Sequence, residues 1–153
     1  MREIKFRAWD SVLGMRPVAA IDFLNGIVRV EGEGGSGYGG LYSLSIENSP
    51  PLEYTGLEDK NGREIYEGDI LFNNWQDIYG KQLGQYWVVH FGEYDDSDLE
   101  YGSPGCGFYC DSQNDYAIYA PNGLPGIVEV IGNIYENPEL CASPTSSTSA
   151  PPA

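Results

Sequence analysis

Short runs of alternating apolar and polar residues organise the chain, and no stretch carries a clean helical stripe. Ile4, Phe6 and Ala8 alternate with Lys5, Arg7 and Trp9, which predicts a first strand with one buried face. Val18–Leu24 and Ile27–Val30 flank Asn25-Gly26, the dipeptide best suited to a two-residue hairpin turn. Leu41, Leu44 and Ile46, with Tyr42 between them, predict another strand. Asp59–Gly62 and Glu67–Asp69 read as turns around Ile65-Tyr66, followed by a strand over Ile70–Phe72. Asn74–Gly80 predicts a helical turn. Tyr86–Phe91 is the strongest strand pattern, with Trp87, Val89 and Phe91 on one face. Phe108–Cys110 and Tyr116–Tyr119 are shorter candidates. Ile127–Tyr135 predicts a last strand, interrupted at Gly132 as at a bulge or close packing point and stopped by Asn137-Pro138. Many short strands separated by turn residues predict a mainly β, β-rich α+β fold built as a small barrel or sandwich.

The chain has 153 residues, 20 of them glycine and 10 proline, and 41% are hydrophobic. Its 20 aromatic residues (12 Tyr, 5 Phe and 3 Trp) supply ample core surface and argue against full disorder. Residues 142–153 contain only Ala, Ser, Pro and Thr, so a disordered tail is expected over 141–153, with globular structure ending near Leu140. No apolar run reaches the length of a membrane span, and the N-terminus lacks the apolar segment of a signal peptide. Three cysteines, an odd number, suit a reducing compartment. A cytoplasmic location without membrane association is therefore expected.

Charge changes the picture most. The net charge is −15, from 8 basic and 23 acidic residues. Up to Lys81 there are 13 acidic and 8 basic residues; from Gln82 onward there are 10 acidic residues and no Lys or Arg. Such a half repels phosphate, so direct nucleic-acid binding through it is disfavoured, whereas a basic protein surface would be attracted. Acidic surfaces more commonly serve only solubility.

Four segments, matching in order and spacing, carry a family resemblance. They are Arg2–Asp10, Tyr54–Ile70 (with Asp59-Lys60-Asn61-Gly62-Arg63 and Glu67-Gly68-Asp69 inside it), Val88–Gly92 and Glu129–Leu140. In these the chain resembles the YopX family of bacteriophage and prophage proteins. The resemblance implies one YopX-like domain over 1–140. Within it, an N-terminal β-hairpin region (1–53) would pack on a small SH3-like C-terminal barrel (54–140), in a fold that often self-associates as a homo-oligomer. It implies no catalytic residue, because the family's molecular role is not established, and it places the protein in the cytoplasm of an infected bacterial host. The glycine-rich stretch at 32–40 and the segment 95–107 look longer than the family pattern demands.

Candidate chemistry is thin. Asp95, Asp96, Asp98 and Glu100 cluster within six residues, but the spacing of a calcium-binding EF-hand is missing, and a solvated acidic loop is the commoner outcome. With Glu93, Asp111 and Asp115, these carboxylates could instead present a row of negative charge, spaced like a phosphate backbone, to a protein that ordinarily binds nucleic acid. Tyr38 is the contact residue if the glycine-rich stretch closes as a flap. Cys106 and Cys110, four apart, form only one of the two pairs that zinc favours, and ordinary thiols are the expectation. His90 is the sole histidine, so a Ser or Cys triad has a single available base in mid-strand. The expectation is a non-enzymatic phage accessory protein with no cofactor and no metal. It would bind a host or phage protein, inhibiting a host defence, with Glu93, Asp95, Asp96, Asp98, Glu100 and Tyr38 as the contact residues. A small-ligand module taking a nucleotide signal, using Tyr38, Tyr42, Trp75, Trp87 and Tyr109 with Arg2, Arg7, Arg29 or Arg63, is the alternative. A structural or assembly protein of the phage is the third reading.

Overall fold

Aspartates open the turns that set this fold. Asp59 Oδ1 accepts the Asn61 and Arg63 amides at 2.8 and 2.9 Å, and the Asp59 amide donates to the Arg63 carbonyl at 2.7 Å. Asp77 repeats the pattern: its Oδ1 accepts the Tyr79 and Lys81 amides, each at 2.9 Å, while its amide donates to the Lys81 carbonyl at 3.0 Å. Both turns read Asp-x-x-Gly-(Arg/Lys), and Gly62 and Gly80 take positive φ values of 80° and 81°, which only glycine adopts without strain. Asp10 and Asp22 likewise accept amides from the turns that they open.

The structure is a computed structural model that describes residues 3–32, 40–95, 104–112, 118–119 and 126–141. It is mainly β, with eleven strands in two antiparallel sheets and no α-helix among the described residues. The strands are β1 (Phe6–Asp10), β2 (Gly14–Asp22), β3 (Ile27–Glu31), β4 (Leu41–Ser45), β5 (Leu52–Glu58), β6 (Glu64–Tyr66), β7 (Asp69–Gln76), β8 (Gln82–Tyr94), β9 (Gly105–Ser112), β10 (Ile118–Tyr119) and β11 (Glu129–Asn133). A 3-10 turn follows at Pro138–Leu140. The chain forms two compact units, Met1–Glu58 with Glu64–Glu67, and Asp59–Arg63 with Gly68–Ala153. No helix among the described residues is long and apolar enough to cross a membrane.

The first unit holds the six-stranded sheet β4-β3-β2-β1-β5-β6. Ala8, Val28 and Val30 are fully buried, with Val18, Leu44 and Ile46 packed against them, so the alternation read in the sequence does place a core face. Ile4, expected on that face, precedes β1 and is 72% exposed. The β2–β3 turn is longer than the two residues that Asn25-Gly26 suggested. It spans Phe23–Gly26, because the Asn25 amide and side chain both bind the Asp22 carboxylate, and among these residues only Gly26 has positive φ. Strand β5 runs unbroken through residues 53 and 54, where the sequence reading divided the chain; there the Tyr54 amide donates to the Lys5 carbonyl at 2.9 Å.

The second unit holds the five-stranded sheet β10-β9-β8-β7-β11. Asn74–Gln76 continue β7, and Asp77–Gly80 is the hairpin turn described above, in place of the helical turn expected there. Ile70 and Leu71 are both fully buried, and Trp87, Val88 and Val89 are all buried, so both faces of β7 and β8 are covered at this level. Gly132 is the bulge that the sequence suggested. The β7–β11 register shifts between Val130 and Gly132, and a Cβ on Gly132 would lie 2.0 Å from Asn137 Oδ1. Among the described residues no ladder joins the sheet's two edges, and the pairings stop short of an SH3-like barrel. The tail at 142–153 lies outside the described residues.

Asp59 does more than close its own turn. Its Oδ2 accepts the Val130 amide at 2.9 Å, while the Lys60 amide donates to the Val128 carbonyl at 3.1 Å and Arg63 Nη1 donates to the Val130 carbonyl at 3.3 Å. The side chain is 6% exposed. Burial alone would raise its pKa, but three amide donors and the Arg63 charge outweigh it and hold the carboxyl below its ordinary 3.8. A depressed folded pKa gives stability that is full above 3.8 and is lost as pH falls through the lower folded value. Asp59→Asn, which keeps the shape but sets an amide NH₂ against donors, is expected to cost roughly 2–3 kcal/mol in urea unfolding at neutral pH. The variant's deficit relative to the parent should shrink at acid pH, as the parent's carboxyl protonates.

Candidate functional site

The far end of the β8–β9 hairpin forms an open groove of about 480 Å³ lined by Glu93, Tyr94, Asp95, Pro104, Gly105 and Cys106. Strand register explains its make-up. Glu93 stands opposite Cys106 and Tyr94 opposite Gly105, one and two steps beyond the Gly92–Gly107 pair. The Tyr94 ring lies against the bare Gly105 backbone, where a Cβ would come within 2.6 Å of the phenol oxygen. On this face His90 stacks on Tyr109 with ring centroids 5.2 Å apart, and Tyr109 meets Tyr94 at 5.6 Å. The three rings make a continuous strip leading to the groove. The opposite face carries Val89 and Cys110, both buried, then the edge-on pair Phe91–Phe108 at 5.0 Å, then Glu93 and Cys106, both exposed.

Of the contact residues read from the sequence, Glu93 and Asp95 meet at this groove and are exposed. Asp96, Asp98, Glu100 and Tyr38 lie outside the described residues. The thiol and imidazole groups do not converge. Cys106 and Cys110 share a strand face four residues apart, a separation of about 13 Å, and His90 lies on the other face, opposite Tyr109. Among the described residues no three His, Cys, Asp or Glu side chains gather as metal ligands would. Burial pushes the Cys110 thiol up to about 12, which leaves it protonated and unreactive at neutral pH.

A second constellation, in the first unit, has no local signature in the sequence. The Lys5 ammonium pairs with Glu64 and lies 4.4 Å from the Tyr54 ring centroid, while the Arg7 guanidinium lies 4.5 Å from that of Tyr66. Tyr66 donates its hydroxyl to Glu64 at 2.8 Å, and the Tyr54 and Tyr66 rings are 5.3 Å apart. Burial, aided by the Glu64 hydrogen bond, pushes the Tyr66 phenol up to about 12; the Lys5 bond lowers the Glu64 carboxyl and raises the Lys5 ammonium. Arg7 stacks on a tyrosine, and Arg63 donates to a backbone carbonyl. These cations stabilise the chain's own rings and strands.

Comparison with known proteins places this arrangement. The sequence profile of the YopX protein family matches residues 33–142. The chain belongs to the YopX family. The matched segment takes in β4 to β11, including the Asp59 turn and the groove. Among solved structures, the crystal structure of protein EF1440 from Enterococcus faecalis is similar to this YopX chain. The TM-score is 0.57 and the identity 26%, over 93% of this chain and 100% of that one. No curated protein matches the chain.

His90 reports on the aromatic strip. Burial lowers its pKa below the ordinary 6.5, and the Asp111 carboxylate partly offsets this. The imidazole should therefore titrate below 6.5 in an NMR pH series, and Asp111→Asn should move the midpoint lower still. Because the folded pKa is depressed, stability should decline as pH falls below 6.5 and the charged ring has to be accommodated.

Proposed function

We propose that this protein is a non-enzymatic accessory protein of phage or prophage origin, acting in the host cytoplasm by binding a host or phage protein through the acidic end of the β8–β9 hairpin. The observation that carries this reading is the exposure of Glu93 and Asp95 on the groove, in a stretch from Gln82 onward that holds 10 acidic residues and no Lys or Arg. Complementarity selects a partner with a basic face, of the kind that ordinarily holds nucleic acid. Inhibition of a host defence protein would follow by occupying that face. On the opposite face of the same hairpin, the half-buried strip of His90, Tyr109 and Tyr94 offers further rigid contact area at low entropic cost, as protein-binding surfaces favour.

Native mass spectrometry of the tagged protein captured from phage-infected cells tests this. The expected result is an added mass of protein size that diminishes as salt rises. The pair Glu93→Lys and Asp95→Lys should reduce that capture several-fold without changing the thermal midpoint. Capture that is indifferent both to salt and to these substitutions would overturn the electrostatic reading.

A further inference from the structure

Three asparagines in the chain precede a glycine: Asn25, Asn61 and Asn122, the last of them outside the described residues. Asparagine is among the chemically labile side chains of proteins, and a following glycine leaves the next backbone nitrogen unshielded because it has no Cβ. The two described pairs sit in turns of different construction. At Asn61-Gly62 the glycine nitrogen is engaged, since the Gly62 amide donates to the Asp59 carbonyl at 3.0 Å. The Asn61 and Arg63 amides on either side are held by the Asp59 carboxylate, in a residue that is 6% exposed, and the Lys60 amide is held by the Val128 carbonyl.

Asn25-Gly26 is tied more loosely. Asn25 is held by one carboxylate, that of Asp22, to which its amide donates at 3.0 Å and its Nδ2 at 2.8 Å, both in exposed surroundings. Among the described residues the Gly26 amide has no hydrogen-bond acceptor. A Cβ placed on Gly26 would meet nothing within 4 Å, so the approach to this backbone is open. Packing adds no anchor to the turn, because Phe23 and Leu24 are 80% and 93% exposed. Breaking one exposed hydrogen bond frees the Asn25 carboxamide to rotate toward the Gly26 nitrogen. Asn61, by contrast, reacts only after a turn anchored on a buried carboxylate has opened.

We propose that Asn25-Gly26 is a site of spontaneous covalent modification. The Gly26 amide nitrogen gives up its proton to base and attacks the Asn25 side-chain carbonyl carbon. The bond from that carbon to Nδ2 breaks, and ammonia leaves with a proton taken from solvent. Water then opens the five-membered imide at either of its carbonyls, which gives aspartate or isoaspartate without any oxidant or cofactor. Both products remove the donor from Asp22 and set a second carboxylate beside the first, at a turn which that donor helps to close. The isoaspartyl form also adds a methylene to the backbone next to Gly26. The Gly26 carbonyl accepts the Ile46 amide at 2.9 Å, so the change reaches the end of the β3–β4 ladder. Conversion therefore adds negative charge and loosens one end of the six-stranded sheet. This site lies in the first unit and is independent of the proposed use of the β8–β9 hairpin.

Incubation of the full chain at mildly alkaline pH in heavy-oxygen water, followed by peptide mass spectrometry, tests the proposal. The expected result is an Asn25 peptide that exchanges its side-chain nitrogen for a heavy oxygen, splits into aspartyl and isoaspartyl forms, and converts faster as pH rises. It should convert roughly tenfold faster than the Asn61 peptide or more, the ratio that about 1.4 kcal/mol of extra opening free energy gives. Asn25→Gln, which would have to close a larger ring, should leave position 25 unmodified. Asn25→Asp, the direct product, should lower the thermal midpoint by about 2–4 °C and speed hydrogen exchange at the Ile46 amide. An Asn25 that stays intact while a free peptide of the same sequence converts, or an Asn61 that converts as fast, overturns the proposal. An Asn25→Asp chain with the parent's midpoint and Ile46 protection overturns the proposed loosening.

Discussion

A buried carboxylate accepting three backbone amides is the constraint on which much of this architecture rests. Asp59 closes the turn over residues 59–63 and, through Val130, fixes that turn to β11. The five turn residues belong to the second unit, while β5 and β6, which they join, belong to the first. Between Glu58 and Gly68 the chain therefore changes units three times. A carboxylate suits this position because each oxygen can accept more than one donor, so a single ionised group satisfies amides from two segments far apart in sequence.

The same chemistry recurs at Asp10, Asp22 and Asp77, which gives the acidic composition a more specific meaning. Much of the negative charge before Lys81 is structural: aspartates organise turns, and Glu64 joins a lattice of cations and tyrosine rings. Beyond Gln82, Glu129 faces Lys60 at 3.1 Å and Glu136 accepts from Asn133, whereas Glu93 and Asp95 stand exposed at a groove.

Most strands were legible because burial on one face imposes a period of two, and Gly132 was legible because nothing larger fits beside Asn137. Strand β5 was hidden by Pro50-Pro51 before it and Gly56 within it, although pairing with β1 on one side and β6 on the other outweighs those local penalties. The β7–β8 turn was misread as helical, yet its Asp-x-x-Gly-Lys pattern repeats Asp59–Arg63, so the signal was present and only the comparison was missing. Of the site, the acidic residues could be named but not their setting. The groove depends on Tyr94 lying over Gly105, and the lattice on Lys5 meeting Glu64 fifty-nine residues later, which no local pattern reveals.

The claim that Asp59 anchors this region is tested most directly by amide hydrogen exchange at Val130. This amide sits beside the bulge, at the end of the regular part of the β7–β11 ladder, and its acceptor is a side chain 71 residues away in sequence. The account predicts that Val130 exchanges as slowly as the core ladder amides of β7 and β8, and that Arg63 is protected with it. Exchange of both amides at the rate of an open loop, while β7 and β8 remain protected, would contradict it.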